Sequence, residues 1–171
     1  SVYSAFLKTL GPKHSGSGAG VNLTMQNLQA RVRGSLLMAA ANTNNWLVLT
    51  TGNKSEIAMG YCTLYGDTAG ALAPIADLLK TEVYKLAAFI NRDRGLIPLS
   101  IIERPPTAEL KPGQKAQDDL PPYAVLDAII RLYLEENLGA SGIISRGFNA
   151  ELVKKTLARI EAAEFKRRQL P

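Results

Sequence analysis

The sequence predicts an α/β fold, rich in helix and with few, parallel strands. Two observations carry this. Trp46-Leu47-Val48-Leu49 is a continuous apolar run, short enough for a buried strand of a parallel sheet. It ends in Thr50-Thr51-Gly52, after which Asn53 and Glu56 stand in capping-box spacing and open a helix. The remaining apolar residues recur at three- and four-residue intervals, the signature of helices packed on such a strand. The carboxyl end of a strand in an open α/β sheet is where ligands bind, and free N–H groups at a helix start suit phosphate. Asn53 and Glu56 can equally be an ordinary helix cap, and spacing alone leaves both readings open.

Each element follows in order. Val2, Tyr3, Phe6, Leu7 and Leu10 form one helical face, stopped by Gly11-Pro12. Residues 15–20, Ser-Gly-Ser-Gly-Ala-Gly, read as a flexible linker and lack the Lys-Ser/Thr of a phosphate loop. Leu28, Val32, Leu36, Leu37 and Ala40 set a helix over about Thr24 to Ala41 and place Asn27 and Arg31 on one face. A short helix is expected over about Ser55 to Leu64, then a small-residue turn from Gly66 to Ala73 in which Asp67 can bond local backbone. Pro74 opens a helical run to Ile90, in which Lys80-Thr81 is one place that could break it. Gly95 is its C-cap, and Pro98 blocks continuation. Arg104 to Leu110 is extended because residues before proline avoid the helical region. Residues 111–119 form an exposed loop around Pro112-Gly113. A helix runs over about Pro122 to Asn137, burying Leu126, Ile129, Ile130, Tyr133 and Leu134. Residues 142–147 are a connector. Asn149 caps a final helix to about Arg168, with Leu152, Val153, Leu157, Ile160 and Phe165 inward.

Composition bounds the function. A chain of 171 residues can bury a real core. No stretch reaches the length of a membrane-spanning helix and no signal-peptide pattern opens the chain, so a cytoplasmic location is expected. Cys62 is the single cysteine and His14 the single histidine. An internal disulfide, a cysteine zinc cluster and a histidine-based triad are therefore excluded. The net charge of +5 favours anionic ligands. The cluster Lys166-Arg167-Arg168 is short and lacks the interleaved aromatics of a nucleic-acid platform; a solvated helix end accounts for it equally well.

Five ordered blocks carry more. Thr51-Gly-Asn-Lys-Ser-Glu56 with Gly60-Tyr-Cys-Thr-Leu-Tyr-Gly-Asp67 is joined by Asn27-Leu-Gln-Ala-Arg31 upstream. Downstream come Pro74-Ile-Ala-Asp-Leu-Leu-Lys80, Pro105-Pro-Thr107-Ala-Glu-Leu and Phe165-Lys-Arg-Arg-Gln169. From about Val21 onward the chain resembles the glutamine-dependent NAD synthetases, of the N-type ATP pyrophosphatase superfamily. The resemblance implies the Rossmann-like adenine nucleotide alpha-hydrolase fold. It also implies ATP-dependent amidation of nicotinic acid adenine dinucleotide (deamido-NAD) to NAD: ATP adenylates the carboxylate, and ammonia, drawn from glutamine by a glutaminase domain, displaces AMP.

Site roles follow by matching positions. Thr51, Lys80 and Thr107 face ATP, and Glu56 binds Mg²⁺ and lies near the substrate. Asn27, Arg31, Asp67 and Lys166 contact deamido-NAD, and Tyr61, Cys62, Thr63 and Leu64 line its pocket. No side chain is required as a nucleophile. The family's Ser-Gly-Gly-x-Asp-Ser loop does not occur in the sequence. The chain is therefore expected to be the C-terminal portion of a synthetase, inactive or nearly so alone, self-associating, and partnered by neither nucleic acid nor membrane. Two rival readings are another amidating ATP pyrophosphatase, such as a GMP or asparagine synthetase, and a non-catalytic nucleic-acid-binding or oligomerisation module.

Overall fold

The computed structural model describes residues 1–11, 19–106 and 120–171, with the backbone alone for 19–22. His14, Thr107, the loop expected at 111–119 and most of the stretch at 15–20 lie outside the described residues; of that stretch, Ala19 and Gly20 already belong to a helix.

Helix α1 (Val2–Leu10) starts where the Ser1 hydroxyl accepts the Ser4 N–H, and it packs along α2 (Ala19–Asn44) without burying any of its own residues. Helix α2 is longer than its periodicity suggested. It approaches the turn at 65–69 so closely that only small residues fit. A Cβ on Gly34 would stand 2.9 Å from the carbonyl oxygens of Tyr65 and Gly66, and one on Gly66 would stand 2.8 Å from Ala30 Cβ. This close approach is what sets Asn27 beside the site.

The expected strand is present only in outline. Val48 O accepts the Ala71 N–H and the Thr50 N–H donates to Leu72 O, both at 2.9 Å, in a parallel bridge between Leu49 and Leu72. Among the described residues nothing else pairs with it. Trp46, Leu47 and Leu49 are 67%, 65% and 51% exposed, which corrects the reading of a buried strand. The apolar run has the right chemistry, but no described element covers its faces.

Helix α3 (Lys54–Ala58) has the predicted capping box: Glu56 N–H to Asn53 Oδ1 at 3.1 Å, and Asn53 N–H to Glu56 Oε2 at 3.3 Å. It stops at Ala58 rather than at Leu64 because Gly60 turns the chain with φ of +62°, a region that disfavours side chains. Residues 74–78 form turns, which corrects the run expected from Pro74: α4 (Lys80–Arg94) begins at Lys80. Gly95 ends it in the left-handed conformation, as predicted. Pro98 then opens the short α5 (Leu99–Ile102).

The core lies in the C-terminal half. Helices α6 (Tyr123–Leu134), α7 (Ala140–Ser145) and α8 (Ala150–Ala162) pack Leu126, Ile129, Ile130, Ile143, Val153 and Ile160 against Ala58, Met59 and Leu79. Two expectations are corrected here. Residues 142–147 are not a plain connector, since α7 covers most of them and buries Ile143 completely. The final helix also breaks at Ala163 and restarts as α9 (Glu164–Arg167). The restart changes the helical phase, which leaves Phe165 57% exposed and turns Lys166 and Arg167 toward the end of α3. Leu134, in the last turn of α6, is also exposed. No helix among the described residues is long and apolar enough to cross a membrane.

Candidate functional site

A cavity of about 1010 Å³ opens where the Leu49–Leu72 bridge, α2, α4 and the loop after α3 meet. Thr51 and Gly52 reach it from the end of the paired segment, Glu56 from the first turn of α3, and Lys80 and Tyr84 from α4. Five cationic side chains (Arg33, Lys80, Arg104, Arg159, Lys166) face two carboxylates (Glu56, Asp67) across its lining. That balance draws in anions.

Two polar clusters organise the lining. In the first, Thr63 Oγ1 donates to Asn27 Oδ1 at 2.8 Å, while the Thr63 N–H donates to Asp67 Oδ1 at 2.7 Å. Crowding of the wall around the Asp67 carboxyl raises its pKa, against the Thr63 and Asp67 N–H groups and the charges of Lys166 and Arg33, which lower it. In the second, Lys80 Nζ lies 3.5 Å from Glu56 Oε1 and 5.7 and 5.9 Å from the ring centroids of Tyr84 and Tyr123. The ammonium is steered by the carboxylate and by two ring faces. Beneath them the Tyr123 hydroxyl is buried without a hydrogen-bond partner, and burial, followed by the nearby Glu56 charge, holds its pKa above the usual tyrosine value.

The loop that carries Tyr61, Cys62 and Thr63 is held from behind by cations. Lys166 Nζ donates to Gly60 O and Cys62 O, both at 2.7 Å. Arg167 Nη1 donates to Ala58 O at 3.1 Å and Arg159 Nε to Met59 O at 2.9 Å. Arg159 and Arg167 thus meet the carbonyl end of α3, where the helix dipole favours them, and Lys166 holds the loop that follows. Burial pushes the Cys62 thiol up to about 11, with Lys166 pulling it down and Asp67 and Glu56 adding to the rise. That shift favours the protonated thiol in the cavity wall at neutral pH.

Of the residues selected from sequence, Asn27, Thr51, Glu56, Tyr61, Cys62, Thr63, Asp67, Lys80 and Lys166 line this one cavity. Arg31 and Leu64 are not among the lining residues; exposed Arg31 donates from Nε to Leu64 O at 3.1 Å and ties α2 to the loop. Thr107 is not described, although its neighbours Pro105 and Pro106 border the cavity. Sequence reasoning missed Arg33, Tyr84, Arg104 and Arg159. Tyr84 was within reach, one helical turn after Lys80 on the same face. Arg159 gives no local signal, because it comes from a helix a hundred residues beyond the loop it contacts.

Glu56 can hold a divalent cation in the manner of magnesium, which takes one or two protein carboxylates and completes its shell with phosphate and water oxygens. Its Oε1 lies 3.5 Å from Lys80 Nζ. No group of three or more acidic, histidine or cysteine side chains forms a cage among the described residues.

The site is thus a cationic cavity in a helix-rich fold, at the end of a parallel-paired segment. The comparisons name the family. The profile described as NAD synthase matches residues 1–170, and the chain belongs to that family. It is 51% identical over 170 residues to the glutamine-dependent NAD(+) synthetase of Thermotoga maritima, covering 98% of this chain and 29% of that protein. Among solved structures it resembles the glutamine-dependent NAD+ synthetase of Acinetobacter baumannii in complex with ADP (41% identity, TM-score 0.56, 99% of this chain and 30% of that one). It also resembles the NMN synthetase of Francisella tularensis (27% identity, TM-score 0.70, 99% and 61%). The chain spans about 30% of the length of the curated relatives it matches.

Proposed function

We propose that this cavity is the amide-forming site of an NAD synthetase, taking ATP on its Glu56–Lys80 side and deamido-NAD along the Asn27–Thr63–Asp67 wall. The carrying observation is that both clusters share one cationic cavity at the end of the Thr50–Gly52 segment. In this reaction a nicotinate carboxylate oxygen attacks the α-phosphorus of ATP and pyrophosphate leaves. Ammonia then attacks the acyl carbon, AMP leaves, and a proton is lost to give the amide. Such chemistry asks for placement and charge neutralisation rather than a nucleophile, which agrees with the protonated Cys62.

In this reading Lys80 is the fixed cation for the ATP phosphates, Thr51 meets the nucleotide at the end of the paired segment, and Thr107 belongs to the same side. Glu56 holds Mg²⁺, which when bound neutralises phosphate charge. Asn27, Tyr61, Cys62, Thr63 and Asp67 form the dinucleotide wall, Arg31 ties its loop to α2 through Leu64 O, and Lys166 fixes the loop beside it. The parallel bridge reads as part of a Rossmann-like sheet of the adenine nucleotide alpha-hydrolase type. Ammonia drawn from glutamine comes to this reading from the relatives' names. A second copy fits the exposed Leu36, Leu37 and Met38 of α2.

The test is calorimetric titration of the chain with deamido-NAD and with ATP plus Mg²⁺. Lys80→Ala is expected to weaken MgATP binding about tenfold or more, the loss of one charge-assisted contact, and to spare the dinucleotide. A folded chain that binds neither ligand refutes the reading. Preference for a mononucleotide over deamido-NAD would move the substrate toward that of the Francisella tularensis neighbour.

A further inference from the structure

We infer that Asp127, in the core helix α6, is the positioning residue for the Lys80–Glu56 pair; this rests on reading that pair as the ATP-facing part of the site. Asp127 is 3% exposed and no residue of α6 lines the cavity. Its Oδ1 accepts the Ser55 hydroxyl at 2.5 Å, and its Oδ2 accepts the Thr81 N–H at 2.8 Å. The Ser55 hydroxyl in turn accepts the Lys80 N–H at 2.9 Å. Ser55 precedes Glu56 and Thr81 follows Lys80. One buried carboxylate therefore bonds the residue before Glu56 through its hydroxyl and the residue after Lys80 through its N–H, and reaches the Lys80 N–H through Ser55.

The need arises at the start of α4. Its N-cap is Leu79, which offers no side-chain acceptor. The first N–H groups of a helix have no partner within it. Here side chains meet them: Leu79 N–H by Glu82 Oε2 of the helix's own first turn at 2.8 Å, and, from outside the helix, Lys80 N–H by Ser55 and Thr81 N–H by Asp127. A negative charge at that position is favoured by the helix dipole. It also fills the place where an incoming phosphate could have met free amides. An anion in the cavity is then left to the Lys80 ammonium, whose place between Glu56, Tyr84 and Tyr123 is set by where α4 begins. Burying a carboxylate is costly unless every lone pair is used well. Asp127 recovers that cost through contacts that join α3, α4 and α6 at one point.

The experiment compares the native chain with Asp127→Asn, Ser55→Ala, Lys80→Ala and the Asp127→Asn/Lys80→Ala double variant. Proton NMR of the Lys80 side-chain methylenes, assigned by loss of their signals in Lys80→Ala, needs no ligand. In the native chain they carry the ring-current shifts of Tyr84 and Tyr123, and in Asp127→Asn those shifts are expected to collapse toward free-lysine values. Titration with MgATP is expected to show about a tenfold loss from Asp127→Asn in the native background and less than about twofold in the Lys80→Ala background, the coupling of residues acting as one unit. Unchanged Lys80 shifts, or equal losses in both backgrounds, overturn the proposal and leave Asp127 as a core residue only. If Asp127→Asn does not fold, Ser55→Ala decides in the same way, because it removes the Lys80 N–H acceptor and keeps the Asp127–Thr81 bond. If the native chain binds no MgATP, the proposed function fails, and the methylene shifts alone decide the positioning role: collapse upholds it and retention overturns it.

Discussion

Replacing Lys166 by Met separates two roles for this side chain. Its ammonium donates to Gly60 O and Cys62 O, both at 2.7 Å. Hydrogen bonds to a charged group contribute about 1.5–3 kcal/mol each, and the half-buried position of Lys166 places these two at the lower end, for a loss of about 3 kcal/mol. Met fills the path of the lysine stem, so no large cavity is added. A loss of about 3 kcal/mol lowers the melting temperature of a domain this size by about 6–12 °C. Arg159 and Arg167 keep their bonds to Met59 O and Ala58 O, so the end of α3 survives and the loop from Gly60 to Leu64 loosens. The assay is thermal unfolding by circular dichroism, with amide hydrogen exchange over residues 60–64 and deamido-NAD titration on the same samples. Lys166→Arg, which keeps the charge, is expected to recover part of the stability. A melting temperature within about 1 °C of the parent, together with a more than about tenfold loss of dinucleotide affinity, would refute the reasoning. Lys166 would then spend its charge on the ligand and not on the loop.

Gly60→Ala places a Cβ 2.7 Å from Ala163 Cβ at a φ of +62°. Left-handed strain of about 1 kcal/mol and overpacking of about 1–3 kcal/mol predict a combined loss of about 2–4 kcal/mol. Urea unfolding measures it, and a change under about 1 kcal/mol would contradict the close contact of α9 with the loop. Asp67→Asn should do the opposite at neutral pH. The folded-state pKa lies above the ordinary 3.8, so the ionised carboxylate costs stability above the folded pKa, and Asn removes that cost while its oxygen still accepts the Thr63 N–H. The gain in melting temperature is present at about pH 7 and shrinks as pH falls through the folded value toward 3.8, where the native carboxyl is protonated as well. A gap that stays constant or changes sign over that range counts against the assignment. Dinucleotide affinity falls in the same variant, the usual exchange of stability for a binding group.

What could be read from sequence is what local chemistry decides. Asn53 and Glu56 form both halves of their capping box, Gly95 caps α4, and the Asn149 side chain accepts the Leu152 N–H to open α8. Each depends on partners three or four residues away. The run from Trp46 to Leu49 has the composition of a buried strand, but burial depends on covering layers, and the described structure provides none. The break at Ala163 was equally invisible, because apolar periodicity runs on through Phe165 while the packing of Lys166 and Arg167 on α3 does not. Asp127 is the sharpest case. Its partners Ser55 and Thr81 lie 72 and 46 residues away, and in sequence it is one acidic residue between Leu126 and Ile129 on an apolar helix.

The same separation explains how the core shapes the cavity. Both ends of α3 and the start of α4 are closed by the protein itself: the start of α3 by Asn53 and Glu56, its carbonyl end by Arg159 and Arg167, and the start of α4 by Ser55, Glu82 and Asp127. Dipoles that could have attracted an anion directly are spent on internal order. In the proposed reading, anion affinity passes to individual cations on the wall, above all Lys80, whose place depends on where α4 starts. The core helix α6 touches none of the cavity, yet through one carboxylate it sets the distance between the carboxylate and the ammonium that face the ligand. The geometry of the site is in this sense a property of the C-terminal core, transmitted through backbone amides rather than through the lining side chains.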